Sequence, residues 1–502
     1  MRKSFFVSPL FIWILIASGI GLRLIFYLTN RSLWLDEASL ALSIVHLEMA
    51  EILQPLPYGQ AAPPLFLIAI KQLADYMGTG ELVLRALPFI SGCLALVLFY
   101  PLSKRALDMR AAPYALALLA FSRHAIYYSS EFKQYSTDLL GTVVILAAAL
   151  FVRRSGYKLK SLVLFSFLGS LIIWFAHPSV FILAGVVAAF LVEILSGRGD
   201  NPGEYRERLV YVIAAGLACL CSFLISYFFF VRATAHDGFY TFWADGFAPF
   251  PPASLADFRW YPQTLLHIIA HPIGFRVFLP LRGLIALTMI LGACSLWKKG
   301  SRFQLLMIVL PLLLLLAASI LKLYPVRMRL ILFTAPLFYL LLAEGIHKAR
   351  GILAKKNAAA ALLLVAGFFF YPAWYSLSSA VKPEMRLREE IKPVIEYYMD
   401  NRAGGDVLYI YYGALRAFEY HTRDMNIEGE IIPGTGNRRE PEKYIEELND
   451  LTAKHGGRIW FIFSHVYASE EELFVSRLNG AGSLVDSYRA VGASIYLYRI
   501  HQ

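Results

Sequence analysis

The chain has 502 residues, of which 58% are hydrophobic and 17% are charged, and its formal net charge is +11. Soluble domains are about 45–50% apolar and about 25% charged, so this composition excludes an ordinary soluble protein, a disordered chain and a disulfide-stapled secreted domain. The uncharged run over residues 303–321 is long enough to span a bilayer. The sequence therefore predicts an α-helical polytopic membrane protein.

About eleven membrane spans are predicted from the apolar runs. The first follows Arg2 and Lys3, and it is longer than the apolar region of the alternative, a cleaved signal peptide. The predicted spans cover residues 5–28, 82–103, 111–128, 136–153, 160–176, 179–195, 208–231, 278–297, 303–322, 329–346 and 357–378.

Basic residues in the loops predict the orientation. Alternate loops carry basic clusters, for example at residues 153–160 and 298–302, while the other loops carry few. The positive-inside rule places the clusters and the N-terminus in the cytoplasm, and it explains the net charge without nucleic acid, which is not expected as a partner. An apolar segment at 63–77 is too short for a span and predicts an interfacial or re-entrant helix on the outer face.

Charged residues return after about residue 380. Strands are predicted at 407–412, 458–464 and 494–500, and helices at 441–455 and 470–478. This alternation predicts a small C-terminal α/β domain. We expect residues 1–379 to form a membrane core and residues 380–502 to form an extracytoplasmic domain.

Two adjacent carboxylates, Asp36 and Glu37, follow the first span. In an apolar setting their mutual repulsion raises a pKa, which suits a general base near neutral pH. A helix N-terminus also favours acidic residues, so a purely structural role is equally compatible with the pattern.

The second outer loop, at residues 127–138, is rich in hydrogen-bonding and aromatic groups that suit a sugar. An aromatic belt at the lipid interface would explain its tyrosines but not its acids, amide and lysine. The candidate ligands of this loop are Tyr128, Glu131, Lys133, Gln134 and Asp138.

Three further outer loops supply single candidates. His177, before Pro178, is more typical of a turn residue than of a ligand. Trp243 lies in the aromatic segment 236–252, which is typical of an ordered lid rather than a linker. Arg329 either snorkels to the interface or binds a phosphate. The sequence has no P-loop, no Gly-x-Gly-x-x-Gly and no His-Glu-x-x-His motif, so we expect no ATP, NAD, metal ion or other cofactor.

The order of five short motifs resembles the GT-C superfamily of membrane glycosyltransferases. The similarity is greatest to bacterial members of its family 39-like branch, which are related to protein O-mannosyltransferases and to aminoarabinose transferases acting on lipid A. It covers about residues 1–350 and is carried by Trp34-x-Asp36-Glu37, Ala62-Pro63-Pro64-Leu65, Glu81-Leu82-x-x-Arg85, Tyr127-Tyr128-x-x-Glu131 and Tyr324-Pro325-x-x-x-Arg329.

This resemblance implies an inverting transfer from a polyprenyl-phosphate sugar to a lipid, glycan or protein acceptor, at the outer face of a bacterial cytoplasmic membrane. By resemblance Asp36 is the base, with Glu37 beside it, and Glu131 is a second acid for which Asp138 competes. Arg329 resembles a cation near the donor phosphate.

Relatives often have a basic residue where this chain has Ala62, which shifts the predicted phosphate contact to Lys133 and Arg329. The alternative function is a transporter or flippase of lipid-linked glycans. Transporters place ionisable groups near the membrane midplane, often in repeated halves, and this sequence has no internal repeat.

Overall fold

The computed structural model describes residues 8–197, 202–232, 237–436 and 440–501. The first part of the chain is helical. Its helices are α1 (Pro9–Leu28), α2 (Leu35–His46), α3 (Pro64–Met77), α4 (Glu81–Ala106), α5 (Ala112–Ala120), α6 (Arg123–Tyr128), α7 (Tyr135–Arg154), α8 (Leu159–Phe175), α9 (Ser179–Ser196), α10 (Pro202–Ser226), α11 (Asp237–Phe242), α12 (Leu255–Ala270), α13 (Leu279–Lys298), α14 (Arg302–Ile320), α15 (Ala335–Ala354) and α16 (Ala358–Val381).

Within the described ranges, nine helices are long and apolar enough to cross a membrane. They are α1, α4, α7, α9, α10, α13, α14, α15 and α16, of which α10 and α15 are extended by adjoining helical turns. The polytopic helical architecture is therefore confirmed. Two of the eleven predicted spans fall outside this set, because α8 has only 17 residues and the segment 111–128 is not one helix.

The prediction of a continuous span at 111–128 was wrong. The chain leaves the helix after Ala120, and Ser122 caps the N-terminus of α6 by accepting from the backbone N–H of Ala125 at 3.3 Å. The hydroxyl of Tyr339 donates to the same Ser122 oxygen at 2.7 Å, and this tertiary contact stabilises the break. As a result α6 ends at Tyr128, directly before the turn that carries Glu131.

Helices of the bundle approach closely where glycines face a neighbouring backbone. A Cβ atom added to Gly292 of α13 would lie 2.0 Å from the carbonyl oxygen of Leu341 in α15. One added to Gly345 of α15 would lie 1.9 Å from the carbonyl oxygen of Thr288 in α13. Small residues therefore allow this helix pair to pack backbone against backbone, as is common in membrane bundles.

The C-terminal part combines four helices with a five-stranded sheet. Its elements are α17 (Ile391–Asn401), β1 (Val407–Ile410), α18 (Leu415–Thr422), β2 (Ile431–Pro433), α19 (Pro441–Lys454), β3 (Gly457–Ser464), α20 (Glu470–Ala481), β4 (Gly482–Ala490) and β5 (Ala493–Ile500). The strand order is β2-β1-β3-β5-β4, in which β2, β1 and β3 are parallel and β5 is antiparallel to β3 and β4.

This sheet confirms the predicted small α/β part and adds two strands that the sequence did not reveal. β2 has three residues, and most residues of the edge strand β4 are exposed, so neither strand has an apolar pattern. Since α16 ends at Val381, the α/β part follows the last long apolar helix. The division of the chain into two domains at residue 380 stays a prediction.

A second hydrophobic core joins the helices after the first span to the C-terminal part. Leu40 and Ile44 of α2 and Phe66 of α3 are fully buried in one cluster with Ile391 of α17 and Trp460 of β3. The helix predicted at 63–77 exists as α3, and its apolar face is covered by protein. The C-terminal part therefore packs directly on α2, the helix that carries Asp36 and Glu37.

Candidate active site

Asp36 lies in the first turn of α2 and forms an ion pair with Arg329. The Nη2 atom of Arg329 donates to Oδ2 of Asp36 at 2.5 Å, while the buried Nε atom has no hydrogen-bond partner. The Asp36 side chain is 25% exposed and the Arg329 side chain 19%. Thus one oxygen of the carboxylate contacts one nitrogen of the guanidinium, at a position that a small ligand can reach.

Glu37, the next residue, is fully buried and fully bonded. Arg85 donates to both of its oxygens at 2.8 Å, and the backbone N–H of Phe132 donates to Oε1 at 2.6 Å. Burial acts to raise the pKa of Glu37, but the charges of Arg85 and Arg31 and these hydrogen bonds hold the pKa below its ordinary value. Glu37 therefore ties α2 to α4 and to the turn before α7.

Glu131 is equally buried but lacks hydrogen bonds. Neither carboxylate oxygen has a hydrogen-bond partner, and its ion-pair contact is Nη2 of Arg31 at 3.9 Å. Burial and then the nearby charge of Glu37 raise the pKa of Glu131. Buried polar groups are normally hydrogen-bonded, so this unpartnered carboxylate, whose charge interacts with that of Arg329, is a candidate acceptor for ligand donors.

Two tryptophans lie beside the guanidinium of Arg329. Its central carbon is 5.1 Å from the ring centroid of Trp34 and 5.9 Å from that of Trp243. The loop that carries Trp243 is fixed near Arg329, because the N–H of Val326 donates to the carbonyl of Gly246 at 2.7 Å. The predicted lid therefore reaches the site at Trp243, although its first residue, His236, lies outside the described residues.

Lys133 and Gln134 lie directly before α7, in which Gln134 is the N-cap residue. The buried Lys133 donates through Nζ to Oε1 of Gln60 at 2.5 Å, and burial lowers the pKa of Lys133. Gln60 lies two residues before Ala62, so Lys133 extends toward the Ala62-Pro63-Pro64 segment. The side-chain oxygen of Gln134 is buried without a hydrogen-bond partner.

The remaining predicted residues differ in their connection to this site. Tyr128 packs edge-on against Tyr135, with ring centroids 5.1 Å apart, and Asp138 is buried in α7 with Oδ1 unpartnered. Burial lowers the pKa of His177 to about 4, so its ring is neutral at pH 7. The Nε2 atom of His177 is buried without a hydrogen-bond partner among the described residues, and its role as a ligand stays a prediction.

No known protein family matches this sequence, and no curated protein matches it significantly. Solved structures do. ArnT from Cupriavidus metallidurans in the apo state is similar over 98% of this chain and 98% of its own, with a TM-score of 0.53 and 14% identity. The same protein bound to undecaprenyl phosphate has a TM-score of 0.53 and 13% identity over the same shares.

The Archaeoglobus fulgidus oligosaccharyltransferase, in complex with Zn and sulfate, is also similar in structure. The match covers 97% of this chain and 73% of that one, with a TM-score of 0.53 and 14% identity. The chain has the GT-C fold. The architecture predicted from the five motifs is thereby confirmed.

In this GT-C fold, the segment after α16 adds a residue that the sequence did not single out. The guanidinium carbon of Arg388 lies 3.7 Å from the ring centroid of Trp34. Arg329 stacks on the same indole, so the two guanidinium carbons are no more than about 9 Å apart. Two cations therefore pack on one ring, and each has an acidic neighbour: Arg329 pairs with Asp36, and Nε of Arg388 lies 3.4 Å from Oε1 of Glu389.

Contacts of the next residues hold Arg388 in place. Glu389 contacts Nδ1 of His465 at 3.0 Å, and the N–H of Glu390 donates to the carbonyl of Val491 at 2.8 Å. A Cβ atom added to Gly492 would lie 2.0 Å from the carbonyl oxygen of Arg388, so the β4–β5 turn presses on this segment. In the sequence, the one feature that could have drawn attention to Arg388 is the charge-rich segment 386–390, which follows the last long apolar run.

The C-terminal part also fixes the loop before α2. The N–H and hydroxyl of Ser32 both donate to Oε2 of Glu390 at 3.1 Å, and the N–H of Leu33 donates to Nε2 of His421 at 3.2 Å. Burial lowers the pKa of His421 to about 3, which keeps its ring neutral and able to accept this bond. Lys392 donates to the carbonyl of Asn30 at 2.7 Å. The backbone leading into Asp36 is thus set by distant residues.

Proposed function

We propose that this protein is an inverting glycosyltransferase, which moves a sugar from a polyprenyl-phosphate carrier to an acceptor at the outer face of the cytoplasmic membrane. The observation that carries the proposal is the partly exposed Asp36–Arg329 pair beside the buried, unpartnered carboxylate of Glu131. It brings together an acid that can accept a proton, a cation that suits a phosphate and an acceptor of hydrogen bonds for a sugar.

Asp36 is the proposed general base. A hydroxyl is a poor nucleophile, so a carboxylate must take its proton as the new bond to the anomeric carbon forms. Asp36 is partly exposed and bonded through one oxygen, whereas both oxygens of Glu37 are bonded to Arg85. We therefore assign the proton transfer to Asp36 and the positioning of α2 to Glu37.

Arg329 is the proposed ligand of the leaving phosphate. A guanidinium presents several N–H donors in a planar fork that matches a phosphate, and the buried Nε of Arg329 has no partner. Lys133 and Arg388 add positive charge near the same place. Support comes from ArnT, which is similar in fold and has been solved with undecaprenyl phosphate bound.

The sugar is proposed to lie among the polar groups of the turn before α7. The oxygens of Glu131 and Gln134 have no hydrogen-bond partner and suit sugar hydroxyls, while Tyr128 and Trp243 offer ring faces and edges. Asp138, buried with one unpartnered oxygen, is a further acceptor for this sugar, and His177 stays a predicted ligand.

In the proposed reaction, the acceptor oxygen attacks the anomeric carbon opposite the phosphate. The bond from that carbon to the phosphate oxygen breaks, its electron pair stays on the polyprenyl phosphate, and the acceptor proton passes to Asp36. Since Asp36 is paired with Arg329, the donor phosphate competes with the carboxylate for the guanidinium. Binding of the donor thus frees the base, which predicts that the donor binds before the acceptor.

The test is transfer by the purified full chain from synthetic polyprenyl-phosphate sugars to lipid, glycan and peptide acceptors. We expect a product whose anomeric configuration is inverted relative to the donor. A product of retained configuration would contradict the single-displacement mechanism. Binding of the donor without transfer to any class of acceptor would contradict the proposed glycosyltransferase activity.

We further propose that residues 1–379 form the membrane core and that residues 380–502 lie outside the cytoplasm, as the positive-inside rule predicts. We expect activity from a reporter that is fused after Gln502 and that functions only outside the cytoplasm. Activity of a reporter that functions only inside would reverse the proposed sidedness.

A further inference from the structure

A large cavity lies at the end of the bundle away from Asp36. Helix α7 begins next to the active-site turn and has 20 residues, so its two ends are about 30 Å apart. Its last turn borders a cavity of about 1020 Å³, between the ends of α4 and α9 and the first turns of α10. This volume is at the upper limit of typical ligand pockets, about 300–1,000 Å³. We call it the basic cavity; its cationic lining residues are Lys104, Arg105, Arg153, Arg154 and Arg208.

The charge of the basic cavity is unbalanced. Among the described residues that line it, the one acid is Glu193. Its carboxylate is already bonded to Arg153, at 2.8 Å from Nε, and to the hydroxyl of Tyr157. This local pair neutralises Arg153, and the charges of Lys104, Arg105 and Arg154 remain to attract an anion.

The rest of the lining suits more than an isolated charge. The side-chain oxygen of Gln304 is buried and has no hydrogen-bond partner, so it can accept from a ligand hydroxyl. Tyr100 and Tyr205 add hydroxyl groups, and Leu150 and Ile194 add apolar surface. Cations beside hydroxyl-binding groups and an apolar wall match a phosphate with hydroxyls next to it.

We propose that the basic cavity binds a phosphate group that carries neighbouring hydroxyls, supplied either by the headgroup of an anionic phospholipid or by a soluble phosphate ester. The site is separate from the proposed transfer site and does not depend on that reaction. The positive-inside rule accounts for basic residues at this end of the bundle, but it requires no cavity and no unpartnered amide.

The experiment compares two double variants that remove the same charge. Lys104→Gln/Arg154→Gln changes the cavity, while Lys355→Gln/Lys356→Gln removes two exposed lysines near the end of α15 that do not line it. The purified, delipidated full chain is titrated with phosphatidylglycerol in neutral detergent, and bound lipid is counted by native mass spectrometry. We expect at least about tenfold weaker binding in the cavity variant, because charged hydrogen bonds are lost, and wild-type binding in the control.

Glycerol 3-phosphate distinguishes the two sources. If it displaces the lipid, the site recognises the phosphate ester itself; if it does not, the acyl chains are needed and the ligand is a phospholipid. Equal binding by both double variants, or no binding to the wild type, would overturn the proposal. If the cavity variant is less stable without ligand, Lys104→Glu at an exposed position repeats the test, with Lys355→Glu as its control.

Discussion

The adjacent residues Asp36 and Glu37 of α2 each pair with an arginine, but the two pairs differ in exposure and in hydrogen bonding. Glu37 and Arg85 are 0% and 1% exposed and share two hydrogen bonds of 2.8 Å. Asp36 and Arg329 are 25% and 19% exposed and share one hydrogen bond of 2.5 Å. We call the first pair closed, because both carboxylate oxygens of Glu37 are hydrogen-bonded to Arg85. We call the second pair open, because only one oxygen of Asp36 is hydrogen-bonded to Arg329.

This difference suggests a structural role for the buried pair and a ligand-binding role for the partly exposed pair. Breaking a buried pair leaves an uncompensated charge, so the closed pair is fixed and positions the start of α2. The open pair is partly exposed and shares one hydrogen bond, so we expect it to exchange partners more readily than the closed pair. Two neighbouring carboxylates, each paired with an arginine, therefore differ in their environment because of burial and hydrogen bonding.

The sharpest way to break this comparison is Asp36→Asn. The amide keeps the shape but cannot accept the proton, and loss of a general base typically lowers the rate about 10²–10⁴-fold. We expect that loss in transfer by the purified variant, with donor binding retained. The control is Asp75→Asn, an exposed acid of α3 that pairs with Lys71 at 3.0 Å, which should keep wild-type turnover. Near-normal transfer by Asp36→Asn would reject Asp36 as the base.

Glu37→Gln should act on stability. It leaves the buried Arg85 without its counter-charge, which typically costs about 3–5 kcal/mol of the free energy of unfolding. Since the folded-state pKa of Glu37 is lowered, its stabilisation is complete above the ordinary pKa and is lost as the pH falls through the lowered value. Denaturation in detergent at several pH values measures both effects.

The control for that loss is Glu440→Gln, which removes an exposed acid that pairs with Lys443 at 2.6 Å. Such surface pairs contribute about 0–1 kcal/mol. If Glu37→Gln were no more destabilising than Glu440→Gln, the closed pair would not hold the fold.

Arg329→Lys keeps the charge of the open pair but removes the planar fork. We expect turnover to fall about 10–100-fold, because a lysine does not offer the phosphate the planar set of N–H donors that Arg329 offers. Arg327→Lys, two residues away and 3.8 Å from Asp245, should stay close to wild type. Unchanged turnover in Arg329→Lys would assign that residue to snorkelling at the membrane surface.

The smallest expected effect belongs to Arg388→Ala. A cation on an aromatic face contributes about 0.5–1 kcal/mol at an exposed site, and the Arg388 side chain is 39% exposed, so donor affinity should fall about two- to fivefold while turnover changes less. Arg402→Ala is the matched control, because Arg402 stacks on Tyr398 at 6.0 Å in the same part of the chain, away from Trp34. Equal donor affinities in the two variants would show that Arg388 does not contribute to donor binding.

The fold could be predicted wherever a local pattern determines the structure. Apolar runs of about 20 residues predicted most spans, and short apolar runs rich in β-branched and aromatic residues predicted β1, β3 and β5, which are buried almost throughout. The break between α5 and α6 was missed, although the polar residues Ser122, Arg123 and His124 interrupt the run 111–128 at that point. It depends on Ser122 receiving a hydrogen bond from Tyr339, 217 residues away.

The site shows the same limit. Polar residues stand out in an apolar sequence, so Asp36, Glu131, Lys133 and Arg329 were all candidates. Their pairing was not visible, because nothing local distinguishes the bonded Glu37 from its neighbour. Arg388 was missed since its partner Trp34 is far away in the chain, and a charged run after a membrane helix is ordinary.

The bonds from the C-terminal part to the loop before α2 have a consequence for synthesis. Ser32 and Glu390 are separated by 358 positions, and Leu33 and His421 by 388. During translation the loop leaves the ribosome long before its partners exist, and domains form in the order in which they emerge. A growing chain therefore holds its acidic loop without these bonds until the α/β part has folded. If these bonds are needed for the proposed transfer, activity should appear only when synthesis is nearly complete.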